Sequence, residues 1–213
     1  MKNKFTQLLI IFLLLNNFYT QSLSDEFQFN VTEVQVFNEG NLIKGVKGGS
    51  VVTNNEMTII DADYFEYDKL TLILNAKGNV TITDKINNVI LKAPEVFYFK
   101  NKEVIQTKGF TDVFISNEYF ADTKDLFFFR NKSILSSDHK TSITDTFNNL
   151  YTLNKFEYLL NKEILKGDNI ELIKNVGDPS SETHKYDFGF FDLKQKTFSA
   201  KDLNIYLSKD TFN

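Results

Sequence analysis

Few residues in this chain combine the side-chain types and the spacing that catalysis requires. The two histidines, His139 and His184, lie far apart in polar segments, so a metal site would need carboxylates from elsewhere. Asp61 and Asp63 could do acid–base chemistry on a glycan, but such pairs are more often solubilising groups at a strand end. The sequence predicts no catalytic residue, no metal and no cofactor, and a carbohydrate-active β-solenoid enzyme is the less favoured alternative.

The balance of charge argues against nucleic acid as a partner. The chain has a net charge of −4 and Arg130 is its only arginine, whereas nucleic-acid-binding proteins present basic patches. Lys69, Lys100 and Arg130 recur at one type of turn and could contact anionic groups. Charged side chains at turns are nevertheless usually only solvated.

The N-terminus has the layout of a secretory signal peptide. Lys2 and Lys4 precede the apolar run Leu8–Leu15, and Ser22–Ser24 offers small residues for cleavage. The run is well below the roughly 20 residues that span a bilayer, although an uncleaved anchor is an alternative. We expect residues 1–24 to be a signal peptide and residues 25–213 to form one exported domain. The chain has no cysteine, so this domain is held without disulfides.

A two-strand unit recurs roughly every 30 residues along the chain. Units begin at Ala62, Ala93, Ala121 and Leu153, and a weaker one surrounds Tyr186. Each has an aromatic-rich strand, a short polar turn and a second strand. Units this small have to stack on their neighbours to bury an apolar face. The sequence therefore predicts an all-β, repeat-built, twisted antiparallel stack.

The first predicted strand lies ahead of these units. Phe27–Phe37 alternates apolar and polar residues, and the alternation slips between Val31 and Val34, which indicates a bulge or turn. A stack that begins and ends on such strands has an open strand edge at both ends.

Aromatic side chains are the strongest indication of binding. The chain has 22 Phe and 9 Tyr but no Trp, and they concentrate on the first strand of each unit. Some of them have to fill the core. The run Phe127–Phe129 places aromatic rings on both faces of a strand, so one set faces a partner, a ligand or water. A structural module that stacks without a ligand is a further alternative.

One segment, Gly45–Asp84, carries a family resemblance. Its motifs are I-x-A-D…Y-D at Ile60, Ala62, Asp63, Tyr67 and Asp68, and A-x-G-N-V at Ala76, Gly78, Asn79 and Val80. With these motifs the chain resembles the OstA-like domain of the lipopolysaccharide-transport proteins. Within that family it is most similar to the periplasmic N-terminal domain of the outer-membrane lipopolysaccharide-assembly protein in its alphaproteobacterial form.

The resemblance implies a β-jellyroll in the periplasm whose interior shields the acyl chains of lipopolysaccharide. It implies edge-strand pairing with an LptA-like bridge protein and, at full length, an outer-membrane barrel with its lipoprotein plug as partners. The candidate lipid-groove residues are Ile60, Phe65, Tyr67, Leu72, Leu74, Val80, Ile82, Phe97, Phe99, Phe127 and Phe129. The candidate partner-strand edge consists of Phe27, Phe29, Val31, Val34 and Val36.

The C-terminus bears on which member of the family this is. The sequence stops at Asn213, just after a predicted strand, whereas the assembly protein continues into a transmembrane barrel. We therefore expect the sequence to be a fragment of the assembly protein. A stand-alone periplasmic bridge protein of the same fold is the alternative.

Overall fold

The structure, a computed structural model, describes residues 26–54, 56–195 and 197–201 and the backbone of 204–207. The predicted signal peptide, residues 1–24, and the chain end at Asn213 lie outside the described residues. Within them the chain forms 18 strands and four short 3₁₀ turns. The strands are β1 (Phe27–Phe37), β2 (Leu42–Thr53), β3 (Thr58–Ala62), β4 (Tyr64–Asp68), β5 (Ile73–Asp84), β6 (Val89–Phe99), β7 (Val104–Lys108), β8 (Phe110–Ile115), β9 (Tyr119–Lys124), β10 (Phe127–Phe129), β11 (Ile134–Ser137), β12 (Thr141–Asp145), β13 (Leu150–Leu153), β14 (Lys155–Leu159), β15 (Ile164–Lys174), β16 (Glu182–Asp192), β17 (Thr197–Lys201) and β18 (Asn204–Leu207). The 3₁₀ turns are Asn38–Gly40, Lys100–Lys102, Arg130–Lys132 and Leu160–Lys162.

These strands form two layers that face each other across an apolar interior. Layer A contains β4, β7, β10, β11, β14 and β17, and layer B contains β3, β8, β9, β12, β13 and β18. Six long strands of 11 or 12 residues, β1, β2, β5, β6, β15 and β16, pass from one layer into the other. The bends of these strands lie on one side of the stack, which we call the spine. The turns of the two layers lie on the opposite side, which we call the mouth.

All pairs among the described strands are antiparallel. Their register determines which residues of each strand lie on the inner face of a layer and which lie on its outer face. The register of β1 on β2 shifts between Val31 and Glu33, which confirms the predicted bulge. The predicted polar turns of the repeated units are also confirmed. Three of them are 3₁₀ turns that end on a left-handed residue, namely Glu103, Ser133 and Glu163.

Asp63 ties neighbouring bends of the spine together. Its carbonyl accepts a hydrogen bond from Gly48 N–H (2.9 Å), and its own N–H donates to the Gly78 carbonyl (3.0 Å). Its carboxylate accepts a hydrogen bond from Asn79 Nδ2 (2.8 Å). Gly78 has a φ of +75°, and a Cβ there would lie 2.4 Å from Asp63 Oδ2, so the bend requires glycine. Asp63, Gly78 and Asn79, all from the motifs of Gly45–Asp84, thus build one bend.

The all-β, antiparallel, repeat-built fold predicted from the sequence is confirmed. Within the described strands, β1 pairs only with β2, whereas β17 and β18 pair only with β16. The described stack therefore presents an unpaired strand edge at each end, which is a surface that another strand can join.

Candidate functional site

Side chains from both layers fill the interior near the N-terminal end of the stack. The Phe27 ring of layer B packs edge-on against Tyr67 (centroids 4.9 Å apart) and Tyr98 (5.5 Å) of layer A. Phe65 and Leu74 complete this region, and all five side chains are buried. A ligand placed here would have to displace core side chains.

A buried ion network joins the two layers across the mouth in the middle of the stack. We call it the clasp, and it consists of Asp84, Tyr98, Glu103 and Arg130. Arg130 is 8% exposed and begins a 3₁₀ turn of layer A, whereas Asp84 is 1% exposed and ends β5 in layer B. Arg130 Nε donates to Asp84 Oδ2 at 2.5 Å, and Nη1 donates to the Tyr98 hydroxyl and the Glu103 carboxylate.

Each charge of the clasp has the partners that a buried charge requires. Asp84 Oδ1 accepts hydrogen bonds from the backbone N–H (2.8 Å) and Nδ2 (3.0 Å) of Asn87. Burial acts to raise the pKa of Glu103, but hydrogen bonds from Lys100 and Tyr98 and the charge of Arg130 outweigh it and hold that pKa below its usual value. Burial also raises the pKa of Tyr98, so its hydroxyl stays protonated and donates to Glu103 at 2.7 Å.

The interior widens between the clasp and the C-terminal edge. Around Ile143, Phe156 and Leu165 the layers leave about 10 Å³, room for at most one water molecule. Beyond them a cavity of about 360 Å³ opens at the mouth, within the range of roughly 300–1,000 Å³ typical of ligand sites. We call it the end cavity. Its walls include Tyr151, Leu172, Tyr186, Phe191, Leu193 and Phe198, and its rim includes Asp145, Asn149, Lys174 and Asp192.

The end cavity is built from packed aromatic rings. Phe191 packs edge-on against Tyr151 (5.9 Å) and Tyr186 (5.7 Å), and Tyr186 packs against Phe198 (5.6 Å). Burial raises the pKa of Tyr119, at the edge of the cavity, to about 12, so this phenol is neutral at physiological pH. Neutral aromatic walls with a charged rim suit a ligand that has an apolar chain and a polar head.

The structure divides the predicted lipid-groove residues between two faces. Seven of them, Ile60, Phe65, Tyr67, Leu72, Leu74, Val80 and Ile82, belong to the interior, where only Leu72 is partly exposed. The other four, Phe97, Phe99, Phe127 and Phe129, lie on the outer face of layer A, because Tyr98 and Phe128 take the inward positions between them. The predicted interior position of these four residues is therefore wrong.

The aromatic residues of the end cavity were not predicted as site residues. Tyr151, Phe191 and Phe198 come from β13, β16 and β17, which only the pairing of the C-terminal strands brings together. The weak repeat around Tyr186 was the one signal in the sequence, and it does not distinguish a filled interior from an open one.

The predicted partner-strand residues share one face of β1. Phe27, Phe29, Val31, Val34 and Val36 all point inward, opposite interior positions of β2. Phe27 is buried, whereas Val36 is 60% exposed, because no strand covers this end of the described stack. The edge thus carries apolar side chains next to unpaired backbone groups, and its role in pairing remains a prediction.

The residues considered for catalysis do not form a common site. Asp61 is exposed on β3, whereas the Asp63 carboxylate binds Asn79 at the spine. His139 Nε2 lies 3.3 Å from Asp125, and the buried His184 lies between Glu182 (3.1 Å) and the Tyr186 hydroxyl (3.2 Å). Within the described ranges, no cluster of three or more histidine and acidic residues is placed to hold a metal.

The fold and the site define an open, two-layered antiparallel β stack with an apolar end cavity. Its described part contains no apolar helix of the length that a bilayer crossing requires. No family model and no curated protein matches the sequence. Among solved structures, the chain is similar to LptH, the LptA-homologous periplasmic component of the lipopolysaccharide transport device of Pseudomonas aeruginosa, at 13% identity and a TM-score of 0.30 over 70% of this chain and 93% of that one. A similarity at this level assigns no function.

Proposed function

We propose that this protein is a non-enzymatic carrier of lipopolysaccharide, which shields the acyl chains of the lipid from water. The end cavity is the observation that carries this proposal, because its aromatic walls are apolar. Apolar chains gain free energy on leaving water, while the sugar head stays in solvent outside the rim, where the carboxylates of Asp145 and Asp192 outnumber the one cation, Lys174. The motifs of Gly45–Asp84 support lipopolysaccharide as the lipid class.

The clasp and the filled N-terminal interior determine how a lipid travels through this carrier. An acyl chain enters at the end cavity, where there is free volume. To move along the whole stack it has to displace rings such as Phe27 and pass beneath the salt bridge between Arg130 and Asp84. The clasp is then the barrier between the two halves of the route.

The unpaired edges support a role as one segment of a longer periplasmic route. We infer that β1 pairs with a strand of an LptA-like bridge protein and that the chain is the periplasmic domain of the outer-membrane assembly protein, with the barrel and its lipoprotein plug as further partners. A stand-alone bridge protein is the second candidate, since unpaired edges at both ends of the described stack also suit end-to-end repetition.

Lipid extraction tests the proposal. The protein, exported to the periplasm of a Gram-negative host, is expected to release lipopolysaccharide on denaturation, as detected by mass spectrometry. Leu193→Trp fills the end cavity and should remove most of this lipid, whereas Leu70→Trp on an exposed turn should retain it. If neither the unmodified protein nor the Leu70→Trp variant carries lipopolysaccharide, the proposal is wrong.

A further inference from the structure

An apolar row runs across the outer face of layer A, away from the interior. Consecutive cross-strand pairs connect its members over six neighbouring strands. All are half-buried, and none belongs to the buried core. At a strand spacing of about 4.8 Å, the row is about 24 Å long. We call it the outer stripe, and its members are Phe99, Val104, Phe129, Ile134, Leu159 and Ile164.

A row of lysines accompanies the outer stripe. Lys102, Lys132 and Lys162 hold the last position of the three 3₁₀ turns of layer A, and each follows a stripe residue by three positions. Lys102 Nζ lies 6.0 Å from the centre of the Phe99 ring, and Lys132 Nζ lies 5.7 Å from that of Phe129. All three lysines are exposed.

These lysines differ from the basic row that the sequence suggested. Arg130 and Lys100, which open two of the same turns, are directed into ion pairs of the clasp region with Asp84 and Glu103. Lys102, Lys132 and Lys162 have no salt bridge with a carboxylate of the described residues. Their charge is therefore available to a partner.

Two acidic groups beside the outer stripe are already paired with cations, whereas Asp192, opposite Ile164 on β16, ends the apolar row. Glu157, on the neighbouring row of layer A, forms a salt bridge with Lys166 at 3.0 Å. Glu103 is held by Lys100 and Arg130. Although the whole chain has a net charge of −4, this part of its surface combines unpaired cations with a continuous apolar row.

We propose that the outer stripe docks on the surface of an anionic lipid membrane. The apolar side chains enter the boundary between head groups and acyl chains, and the three lysines contact lipid phosphates. Neighbouring lysines of the row lie two strands apart, about 10 Å, so they reach separate head groups rather than one small ligand. This surface is distinct from the interior and does not depend on the proposed carrier function.

Vesicle co-sedimentation of the full chain tests the docking. The protein should bind vesicles of phosphatidylcholine mixed with phosphatidylglycerol more tightly than vesicles of phosphatidylcholine alone. Each basic residue near an anionic surface contributes about fivefold, so combining Lys102→Gln, Lys132→Gln and Lys162→Gln should weaken binding to the mixed vesicles about 100-fold. The matched control combines Lys85→Gln, Lys124→Gln and Lys140→Gln, which removes the same charge from exposed sites outside layer A and should leave binding nearly unchanged.

A local reporter separates the outer stripe from the apolar run Leu8–Leu15, which can itself bind vesicles. The chain has no tryptophan, so Phe129→Trp introduces a single one within the stripe. Its emission should shift to the blue when anionic vesicles are added, whereas that of Phe110→Trp, on layer B, should not. Equal loss of binding in the two lysine triples, or no shift for Phe129→Trp, would overturn the proposal.

Discussion

Arg130, the only arginine of the chain, shows at the scale of a single residue how the two layers are held together. It lies in a turn sequence, Arg130–Lys132, that resembles its counterparts at Lys100–Lys102 and Leu160–Lys162. Here the side chain turns inward and reaches the buried Asp84 of the opposite layer, whereas Lys100, the first residue of the preceding turn, binds Glu103 and lies 3.9 Å from Glu26. The clasp therefore joins the two layers in the middle of the mouth.

Replacing Arg130 should strongly destabilise the fold. Arg130→Met leaves the buried Asp84 without its cation, and breaking a buried pair in this way costs about 3–5 kcal/mol. Lys132→Met, two positions along the same turn, removes the same charge from an exposed site and should change stability by less than about 0.5 kcal/mol. Urea unfolding followed by circular dichroism measures both. Equal stability of the two variants would show that the clasp does not hold the layers.

Glu103 gives the clasp a dependence on pH. Its pKa in the folded protein lies below the ordinary value of 4.5, because the cations and Tyr98 favour the ionised form over the opposing effect of burial. A lowered pKa stabilises the fold above that ordinary value, and the stabilisation is lost as the pH falls through the folded pKa. The urea midpoint should therefore fall more steeply on acidification below pH 4.5 for the unmodified protein than for Glu103→Gln.

The control for this titration is Glu39→Gln, which removes an exposed carboxyl near the N-terminal edge. Its acid dependence should follow that of the unmodified protein. If Glu103→Gln and Glu39→Gln have the same dependence on pH, Glu103 is not coupled to folding.

At the scale of the elements, the positions of strands and turns were predictable from the sequence. For several strands, however, the sequence did not show which residues point to the interior. The bulge near Val31 and the Asn-Lys turns follow from local patterns that the pairing confirms. In Phe97–Phe99 every residue is aromatic, so the hydrophobic pattern does not show which side chains point inward. The register of β6 on β7 shows that Tyr98 does, because it lies opposite the buried Ile105.

The clasp and the end cavity were beyond prediction from one sequence. Asp84 and Arg130 are 46 positions apart, and each alone has the appearance of a solvated charge at a turn. The end cavity depends on how far two layers separate, which is a property of side-chain packing between strands that are not neighbours in sequence. Neither the contact between Asp84 and Arg130 nor the separation of the two layers follows from a pattern of neighbouring residues in the sequence.

The edge strand β1 offers a prediction about assembly. Val36→Lys places a charge on the exposed apolar edge and should block pairing with another strand, because charged edge residues prevent strand addition. Cross-linking with an LptA-like bridge protein, or end-to-end self-association in light scattering, should decrease at least tenfold. Leu70→Lys alters an exposed apolar side chain away from β1 and is the control. Unchanged association in Val36→Lys would exclude β1 as the pairing edge.

At the scale of the whole molecule, the repeated units share one apolar interior. Short two-strand units extend one apolar space between two layers, and the described stack ends in unpaired edges. The N-terminal part of that space is filled, the clasp spans its mouth, and free volume lies at the C-terminal end. The proposed shielding of lipid needs a place where an acyl chain can enter, and the end cavity is that place.

Photo-crosslinking at two phenylalanines tests the central claim most directly. Phe198 is 50% exposed and faces the end cavity, whereas Phe188, on the adjacent strand, is 46% exposed and faces outward. A benzophenone amino acid is placed at each position, and the protein is irradiated in cells that make lipopolysaccharide. We predict a lipopolysaccharide adduct at position 198 and none at position 188. Equal adducts at the two positions, or an adduct only at position 188, would contradict binding of the acyl chains in the interior.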